Sequence, residues 1–138
     1  MSGDAGLDEL EAAARAARAR AYAPYSGYAV GAALRTKSGR IYAGCNVENA
    51  SYGLCLCAER SAVAQMVAAG EREPVAIAVV TAGPVVGTPC GMCRQTLAEF
   101  ARDMPVRLAV DAPGVPAKDT TLAALLPDAF RADALAKG

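Results

Sequence analysis

The sequence predicts an α/β protein built on a mixed β-sheet, and two features of the chain support this prediction. Two apolar segments, residues 28–36 and 40–47, are separated by a Lys-Ser-Gly turn, which is typical of an antiparallel hairpin. Further along, strand-like segments alternate with helix-like segments, and such an order gives crossovers that make strands parallel. The 138 residues are expected to form a single domain, 1–138.

The first half of the chain is predicted to contain one helix and then the hairpin. Residues 7–22 carry apolar side chains at spacings of three and four, the pattern of an amphipathic helix. Pro24 disfavours helical backbone in the residue before it and is expected to end this helix. Residues 48–56 form a loop that leads to the next helix.

The second half is predicted to contain helices and strands in alternation. A helix begins near Cys57 and is closed by Gly70, because glycine readily ends helices. Pro89 introduces another helix, and residues 111–118 are rich in turn formers. The other predicted elements are a strand at 75–80, a helix at 91–102, a strand at 106–110 and a short helix at 122–126.

Charge and hydropathy argue against two classes of partner. Fourteen basic and 14 acidic residues cancel, so neither a nucleic acid nor an anionic membrane is expected to bind. No apolar run approaches the roughly 18 residues of a membrane span. The N-terminus lacks the basic start and apolar segment of a signal peptide. We therefore expect a cytoplasmic protein.

Five cysteines and no histidine restrict the chemistry that the chain can perform. Disulfides are not expected in the cytoplasm, and an odd number leaves one thiol unpaired. Because histidine is absent, a transition-metal site must be built on sulfur and a proton shuttle on a carboxylate.

Two motifs at predicted helix starts offer three thiols and one carboxylate. Cys57, Cys90 and Cys93 could hold a zinc ion tetrahedrally and leave its fourth position open, as catalytic zinc requires. Glu59 lies two residues after a ligand and could move protons beside that position. The ordinary explanation of a lone Cys-x-x-Cys is two buried thiols, but both motifs together predict a metal site.

A structural zinc site with a fourth protein ligand is the alternative, and it would make the chain a non-catalytic interaction module. Cys45 and Cys55 are the available thiols. Cys55 is expected to point away as the loop enters the helix. Cys45, in the second strand, is more typical of a small buried hydrophobic residue.

Three thiolates on divalent zinc leave a net charge of about −1, so a compensating cation is expected. Arg60, next to Glu59 and one turn from the cysteines, is the candidate, although exposed helix arginines are common. The partial positive charge of the helix N-termini adds to the compensation by Arg60.

Asn46 and Glu48 form a second pair of interest, because they share one side of an extended segment. Together they suit a diol such as ribose, although turn formation is the ordinary explanation of such residues.

The chain resembles the small, homotetrameric cytidine deaminases over nearly its whole length. A metal ligand, one residue, a Glu and a distant Pro-Cys-x-x-Cys are shared by many zinc deaminases. Asn46, Glu48 and Arg60 are more specific to the nucleoside branch. The similar segments are residues 22–26, 30–34, 44–50, 57–60, 89–95 and 125–130.

The resemblance implies a three-layer α/β/α sandwich with a mixed sheet of about five strands. It also implies zinc-dependent deamination of cytidine and 2′-deoxycytidine, in pyrimidine salvage, by a homotetramer with shared active sites. The alternative within enzymes is a deaminase of another cytosine nucleoside, such as blasticidin S. Arg60 after the Glu argues against that branch.

By resemblance, Cys57, Cys90 and Cys93 would bind Zn²⁺ and Glu59 would shuttle protons. The resemblance also assigns residues to the nucleoside. Asn46 and Glu48 would hold the ribose, and Tyr28 would pack against the pyrimidine, where the family more usually has Phe.

Two further positions lie in the C-terminal segment that resembles the family. Phe130 would close the pyrimidine pocket of a neighbouring subunit. Asp128 stands where Gly is common.

Overall fold

The structure is a computed structural model and describes residues 2–135, with side chains from residue 6 onward. The strands are β1 (Gly31–Thr36), β2 (Ile41–Cys45), β3 (Pro74–Thr81), β4 (Pro105–Val110) and β5 (Lys118–Thr121). The α-helices are α1 (Ser2–Arg18), α2 (Ala58–Ala68), α3 (Gly91–Phe100) and α4 (Leu122–Leu125), with short 3-10 turns at Tyr52–Leu54 and Ala132–Leu135. No helix of this described part is long and apolar enough to cross a membrane.

The five strands form one mixed sheet in the order β2-β1-β3-β4-β5. Strand β1 pairs antiparallel with both β2 and β3, and β3 pairs parallel with β4. At the far edge, β4 pairs antiparallel with β5. The predicted α/β class, the hairpin and the parallel portion of the sheet are therefore confirmed.

Helices cover both faces of the sheet, which confirms the three-layer sandwich. Alternate residues of β1 point to opposite faces, as the pleat of a strand requires. The α1 face packs Leu7, Leu10 and Ala14 against Ala33, Ala78 and Val80. The opposite face packs Ala62, Met66 and Leu97 of α2 and α3 against Leu34, Ile77 and Leu108.

Glycines allow helices to approach the hairpin closely. A Cβ atom on Gly31 would lie 1.9 Å from the carbonyl oxygen of Ala14, and one on Gly44 would lie 2.6 Å from the backbone nitrogen of Ala62. Neither position leaves room for a side chain. Helices α1 and α2 therefore lie directly against β1 and β2.

Hydrogen bonds explain two of the boundaries that were predicted wrongly. The predicted strand 40–47 and helix 91–102 also end earlier, at Cys45 and Phe100. Helix α1 ends at Arg18 and not at residue 22, because Tyr22 donates its N–H to the carbonyl of Asn46. Strand β1 begins at Gly31 and not at residue 28, because the Asn46 side chain takes the place of a neighbouring strand for the backbone at 28 and 30.

Strand β5 was missed by the sequence analysis, which assigned residues 111–118 to turns. Its sequence, Lys-Asp-Thr-Thr, is polar and mostly exposed, so it lacks the apolar alternation that identifies strands. The ion pair between Arg107 of β4 and Asp119 of β5 holds the strand at the sheet edge.

Candidate active site

The three predicted zinc ligands meet at the starts of two helices. Cys57 precedes α2 and Cys90 precedes α3, both in extended conformation, and Cys93 lies in the first turn of α3. Their sulfur atoms all lie within 4.8 Å of one another, with 3.8 Å between Cys57 and Cys90 and 3.4 Å between Cys90 and Cys93. The helix N-termini add partial positive charge where thiolates form.

The spacing of these sulfur atoms fits zinc. Tetrahedral Zn–S bonds of about 2.3 Å place sulfur atoms about 3.8 Å apart. Within residues 2–135, the cluster offers three ligands and no fourth. Cys45 and Cys55 instead contact the carbonyl oxygens of Arg20, at 3.7 Å, and Asn49, at 3.8 Å. A structural site closed by either thiol does not match this geometry.

The expectation that Cys45 is a buried hydrophobic residue was wrong. Cys45 is only partly buried, since it lies at the end of the edge strand β2 and borders an open groove. Its neighbours in that groove are mainly small side chains of α1 and β2. Burial of this thiol would need a residue or chain on the outer side of β2.

Arg60 lies against the thiols and not on an exposed helix face. Its Nη2 atom is 3.5 Å from Cys57 Sγ and donates to the carbonyl of Cys55 at 3.3 Å. Arg60 Nε is buried and has no hydrogen-bond partner among the described residues. A cation with an unused N–H group at this place suits a cluster of negatively charged thiolates.

Two thiols of the cluster, Cys57 and Cys93, have strongly shifted pKa values. The pKa of Cys57 is lowered to about 5, first by a hydrogen bond from the Cys93 thiol and further by Arg60. The pKa of Cys93 is raised because it donates to Cys57 and is buried. One thiolate is therefore already favoured at neutral pH, which prepares the site for a cation.

Glu59 is a buried carboxyl group in the first turn of α2. Its side chain is shielded so that the residue is only 5% exposed. Burial raises the pKa of Glu59 to about 7, and the negative charge of Cys57 adds to this effect. A carboxyl group that titrates near neutrality can both accept and donate a proton at physiological pH.

A cavity of about 290 Å³ opens beside the thiols and Glu59. Most of the predicted site residues line it, namely Tyr28, Asn46, Glu48, Cys57, Glu59 and Cys90. The sequence analysis did not single out six others: Ser26, Val30, Ala58, Val79, Thr81 and Thr88. Ser26, Val30 and Ala58 lie within recognised segments, and Thr88 adjoins one. Val79 and Thr81 carry no local signal, because only the register of β3 turns them toward the cavity.

Asn46 and Glu48 both support the segment that lines the cavity. Asn46 accepts from the N–H of Val30 at 2.8 Å and donates to the carbonyl of Tyr28 at 2.8 Å. Glu48 accepts from the N–H groups of Tyr25, at 3.0 Å, and Ser26, at 3.1 Å, and from the Ser26 hydroxyl. The hydrogen bond from that hydroxyl is the main reason that the pKa of Glu48 is lowered.

Phe130 lies outside the cavity of its own chain. It is 59% exposed, and its carbonyl accepts a hydrogen bond from Gln95 of α3 at 2.8 Å. Arg131 donates to the carbonyl groups of Ala98 and Ala101 and thereby ties the C-terminal segment to the end of α3. The structure thus holds the backbone at Phe130 in place while the ring remains accessible.

The sequence has relatives of similar length. Residues 7–108 match the family model described as the cytidine and deoxycytidylate deaminase zinc-binding region. A cytidine deaminase of Sporosarcina psychrophila is 47% identical over 127 residues, which cover 90% of each chain. A cytidine deaminase of Mycobacterium tuberculosis strain H37Rv is 44% identical over 132 residues, covering 96% of this chain and 95% of the relative.

Solved structures similar to this chain are cytidine deaminases, as are its sequence relatives. The crystal structure of cytidine deaminase from Burkholderia pseudomallei has a TM-score of 0.84 and 50% identity, covering 89% of this chain and 98% of that one. The structure of the Mycobacterium tuberculosis enzyme has a TM-score of 0.76 and 43% identity, covering 89% and 95%. The thiol cluster, the buried carboxyl group and these similarities show that the chain belongs to the cytidine and deoxycytidylate deaminase family and is a deaminase.

Proposed function

We propose that the protein hydrolyses the exocyclic amine of cytidine and 2′-deoxycytidine, giving uridine and 2′-deoxyuridine in pyrimidine salvage. One observation carries this proposal: the buried Glu59 and two thiols of the three-thiol cluster line one cavity of about 290 Å³ together with Glu48. The first two groups are suited to hydrolysis, and Glu48 is suited to a sugar diol.

Cys57, Cys90 and Cys93 would hold a zinc ion in this cavity. When bound, zinc supplies a Lewis acid that makes a water molecule nucleophilic at neutral pH. Arg60 offsets part of the thiolate charge, since its guanidinium approaches Cys57 Sγ at 3.5 Å. The cysteines and Arg60 thereby keep the metal end of the cavity close to electrical neutrality.

Glu59 carries the protons. Its pKa of about 7 allows it to accept a proton from the attacking water and to release it within the same cycle. The protons go to ring atom N3 and to the amine, which departs from C4 as ammonia. Water is thus added and ammonia is released, and Glu59 returns to its starting state.

Glu48 and Asn46 would recognise the sugar. Glu48 is already ionised, because its pKa is lowered, and each carboxylate oxygen has more than one acceptor site. It can therefore accept from a sugar hydroxyl while it holds Ser26. Asn46 holds the backbone on both sides of Ala29 and keeps Tyr28 beside the pyrimidine.

The active form is proposed to be a homotetramer with shared sites, acting in the cytoplasm. Phe130 is accessible and lies outside the cavity of its own chain, so it is available to a neighbouring subunit. Charge balance gives no reason for a nucleic acid or membrane partner.

A substrate panel tests the proposed function. Loss of cytosine-ring absorbance is measured with cytidine, 2′-deoxycytidine, cytosine and blasticidin S, using protein of known zinc content. Both nucleosides should be consumed and free cytosine should react very poorly, because it lacks the sugar. Preference for blasticidin S would support the other branch of deaminases, and equal turnover of cytosine and cytidine would contradict recognition of the sugar.

The Glu48→Ala variant isolates the sugar contact. We expect its kcat/KM for cytidine to fall by about 10- to 100-fold, the loss of one or two hydrogen bonds to a charged group. Zinc content should stay unchanged because Glu48 does not touch the thiols. Ser26→Ala is the comparison variant: it removes the hydroxyl that donates to Glu48 and accepts the N–H of Tyr28, and it keeps the carboxylate, so its loss should be smaller than that of Glu48→Ala.

A further inference from the structure

Tyr28 contacts the segment that leads to Cys90 through its hydroxyl group. A Cβ atom on Gly87 would lie 2.8 Å from the Tyr28 hydroxyl oxygen and 3.0 Å from Thr81 Cγ2. Separations this short require something to shift. Gly87 does not adopt a positive φ, so close approach to the Tyr28 and Thr81 side chains, and not backbone conformation, disfavours a side chain there. The missing side chain leaves a recess that the Tyr28 hydroxyl occupies.

The floor of this recess belongs to the sheet. Thr81 is the last residue of β3, is buried, and accepts the N–H of Gly87 at 3.3 Å through its hydroxyl oxygen. Its carbonyl accepts the N–H of Asp111 at 2.8 Å. Val86 packs against the core beneath α2 and α3. The recess is therefore built from anchored residues.

The backbone of Tyr28 is anchored at the opposite end of the cavity. Its N–H donates to the Ser26 hydroxyl at 3.0 Å and its carbonyl accepts from Asn46 at 2.8 Å. The ring thus extends from the Glu48 side of the cavity to the segment before Cys90. Tyr28 is 43% exposed, so packing alone does not hold the ring.

We propose that Gly87 is a positioning residue for Tyr28, and that residues 28 and 87 together determine how tightly a cytosine ring is held. The recess seats the hydroxyl and keeps the aromatic ring at a constant distance across the cavity. A side chain at position 87 would displace the hydroxyl, and with it the ring, from this position. The effect on cytosine binding rests on the proposed function, whereas the contact between Tyr28 and Gly87 does not.

Four proteins test the contact: the parent, Gly87→Ala, Tyr28→Phe and the double variant. Gly87→Ala should raise KM for cytidine about tenfold with kcat nearly unchanged, because a displaced ring weakens binding and leaves Glu59 in place. Tyr28→Phe keeps the ring and removes only the hydroxyl, so its measured KM and kcat are the reference for the double variant. The double variant should lie within about threefold of Tyr28→Phe, because the added methyl then has the space of the hydroxyl.

Melting temperature gives a readout that does not depend on activity. Gly87→Ala should lower it by about 4 °C, and Tyr28→Phe should recover most of that loss in the double variant. If the parent shows no cytidine turnover, the proposed function fails while this comparison still tests the contact.

The same four proteins can overturn the inference. Equal damage by Gly87→Ala in the parent and in the Tyr28→Phe background would show that the methyl disturbs the loop through Thr81 and not through the hydroxyl. Absence of any damage would show that no recess is needed. If Gly87→Ala does not fold, a folded double variant supports the contact and an unfolded one contradicts it.

Discussion

At the scale of single residues, the start of α2 sets the properties of Glu59. Cys57 ends the preceding extended segment, so Glu59 falls in the first helical turn and its carboxyl group enters the buried end of the cavity. Burial disfavours the charged form and brings its pKa to about 7. The same carboxyl group on the exposed face of α2 would be a permanent anion.

Glu59→Gln should keep zinc and lose turnover. The amide preserves shape and hydrogen bonding but cannot accept a proton, so kcat should fall by at least about 10²–10⁴-fold. Zinc stoichiometry by metal analysis and kcat on cytidine check this. Near-normal kcat in a zinc-loaded variant would remove Glu59 from the mechanism.

Arg60→Ala should weaken zinc retention and shift the pH profile. The guanidinium lowers the pKa values of both Cys57 and Glu59, so its removal should raise them. Activity should therefore appear at higher pH, and chelators should remove zinc faster. Arg72→Ala is the control, because that arginine contacts only backbone carbonyls away from the thiols. If the pH–activity profile and the zinc retention of Arg60→Ala match those of the parent, Arg60 does not compensate the thiolate charge.

At the scale of elements, one arginine attaches the edge strand and the first helix to the sheet. Arg107 of β4 lies opposite Asp119 of β5 in the strand register and makes two hydrogen bonds to its carboxylate, at 2.8 Å and 2.9 Å. The remaining guanidinium nitrogen of Arg107, Nη1, donates to the carboxylate of Asp8 in α1. Because Arg107 is buried, loss of its partners would leave an unpaired charge in the protein interior.

Asp119→Asn should lower stability and weaken its dependence on acid pH. The pKa of Asp119 is lowered, first by its hydrogen bonds to Arg107, so the unfolded chain binds more protons than the folded one near the ordinary value of 3.8. This stability is present above that pH and is lost as pH falls through the folded pKa. Since Asp119 is partly exposed and Asp8 remains, the expected cost at neutral pH is about 1–2 kcal/mol.

Thermal unfolding between pH 3 and pH 7 measures this contribution. The parent should lose more stability than Asp119→Asn over the acid part of the range. Asp133→Asn is the control, because its arginine partner, Arg102, is highly exposed and a surface pair contributes little. Parallel curves for parent and Asp119→Asn would contradict the assignment.

At the scale of the whole molecule, large apolar side chains near the cavity remain exposed. Tyr25 and Tyr52 pack edge to face at a centroid distance of 6.0 Å, yet both stay accessible together with Leu54. Apolar groups clustered at a surface favour association with another chain. They lie near Glu48, whose carboxylate holds the backbone of Tyr25. The proposed tetramer would cover them.

Mixing Glu59→Ala with Phe130→Ala should restore activity. Each variant alone should be nearly inactive, but co-refolded tetramers contain sites that combine an intact Glu59 with an intact Phe130 from a neighbour. Cytidine turnover before and after co-refolding checks this, with light scattering to establish that mixed tetramers form. Mixed tetramers without recovered activity would show that Phe130 does not act across subunits.

The sequence by itself identified the deaminase family of this protein and much of its fold. Motif spacing placed Cys57, Glu59 and Cys90 at helix starts, and apolar periodicity indicated the helices and four strands, because both signals are local along the chain. The resemblance noted only that Asp128 stands where Gly is common, and the structure supplies the reason: its φ is 54°, a region that side chains disfavour.

Only the tertiary structure decided what depends on residues distant in sequence. The polar strand β5 forms because β4 lies beside it, and Val79 and Thr81 reach the cavity through strand register. The pKa of Glu59 depends on burial by surrounding elements, and the Tyr28–Gly87 contact joins segments nearly 60 residues apart. Such properties arise from packing in three dimensions, which no local pattern of residue types encodes.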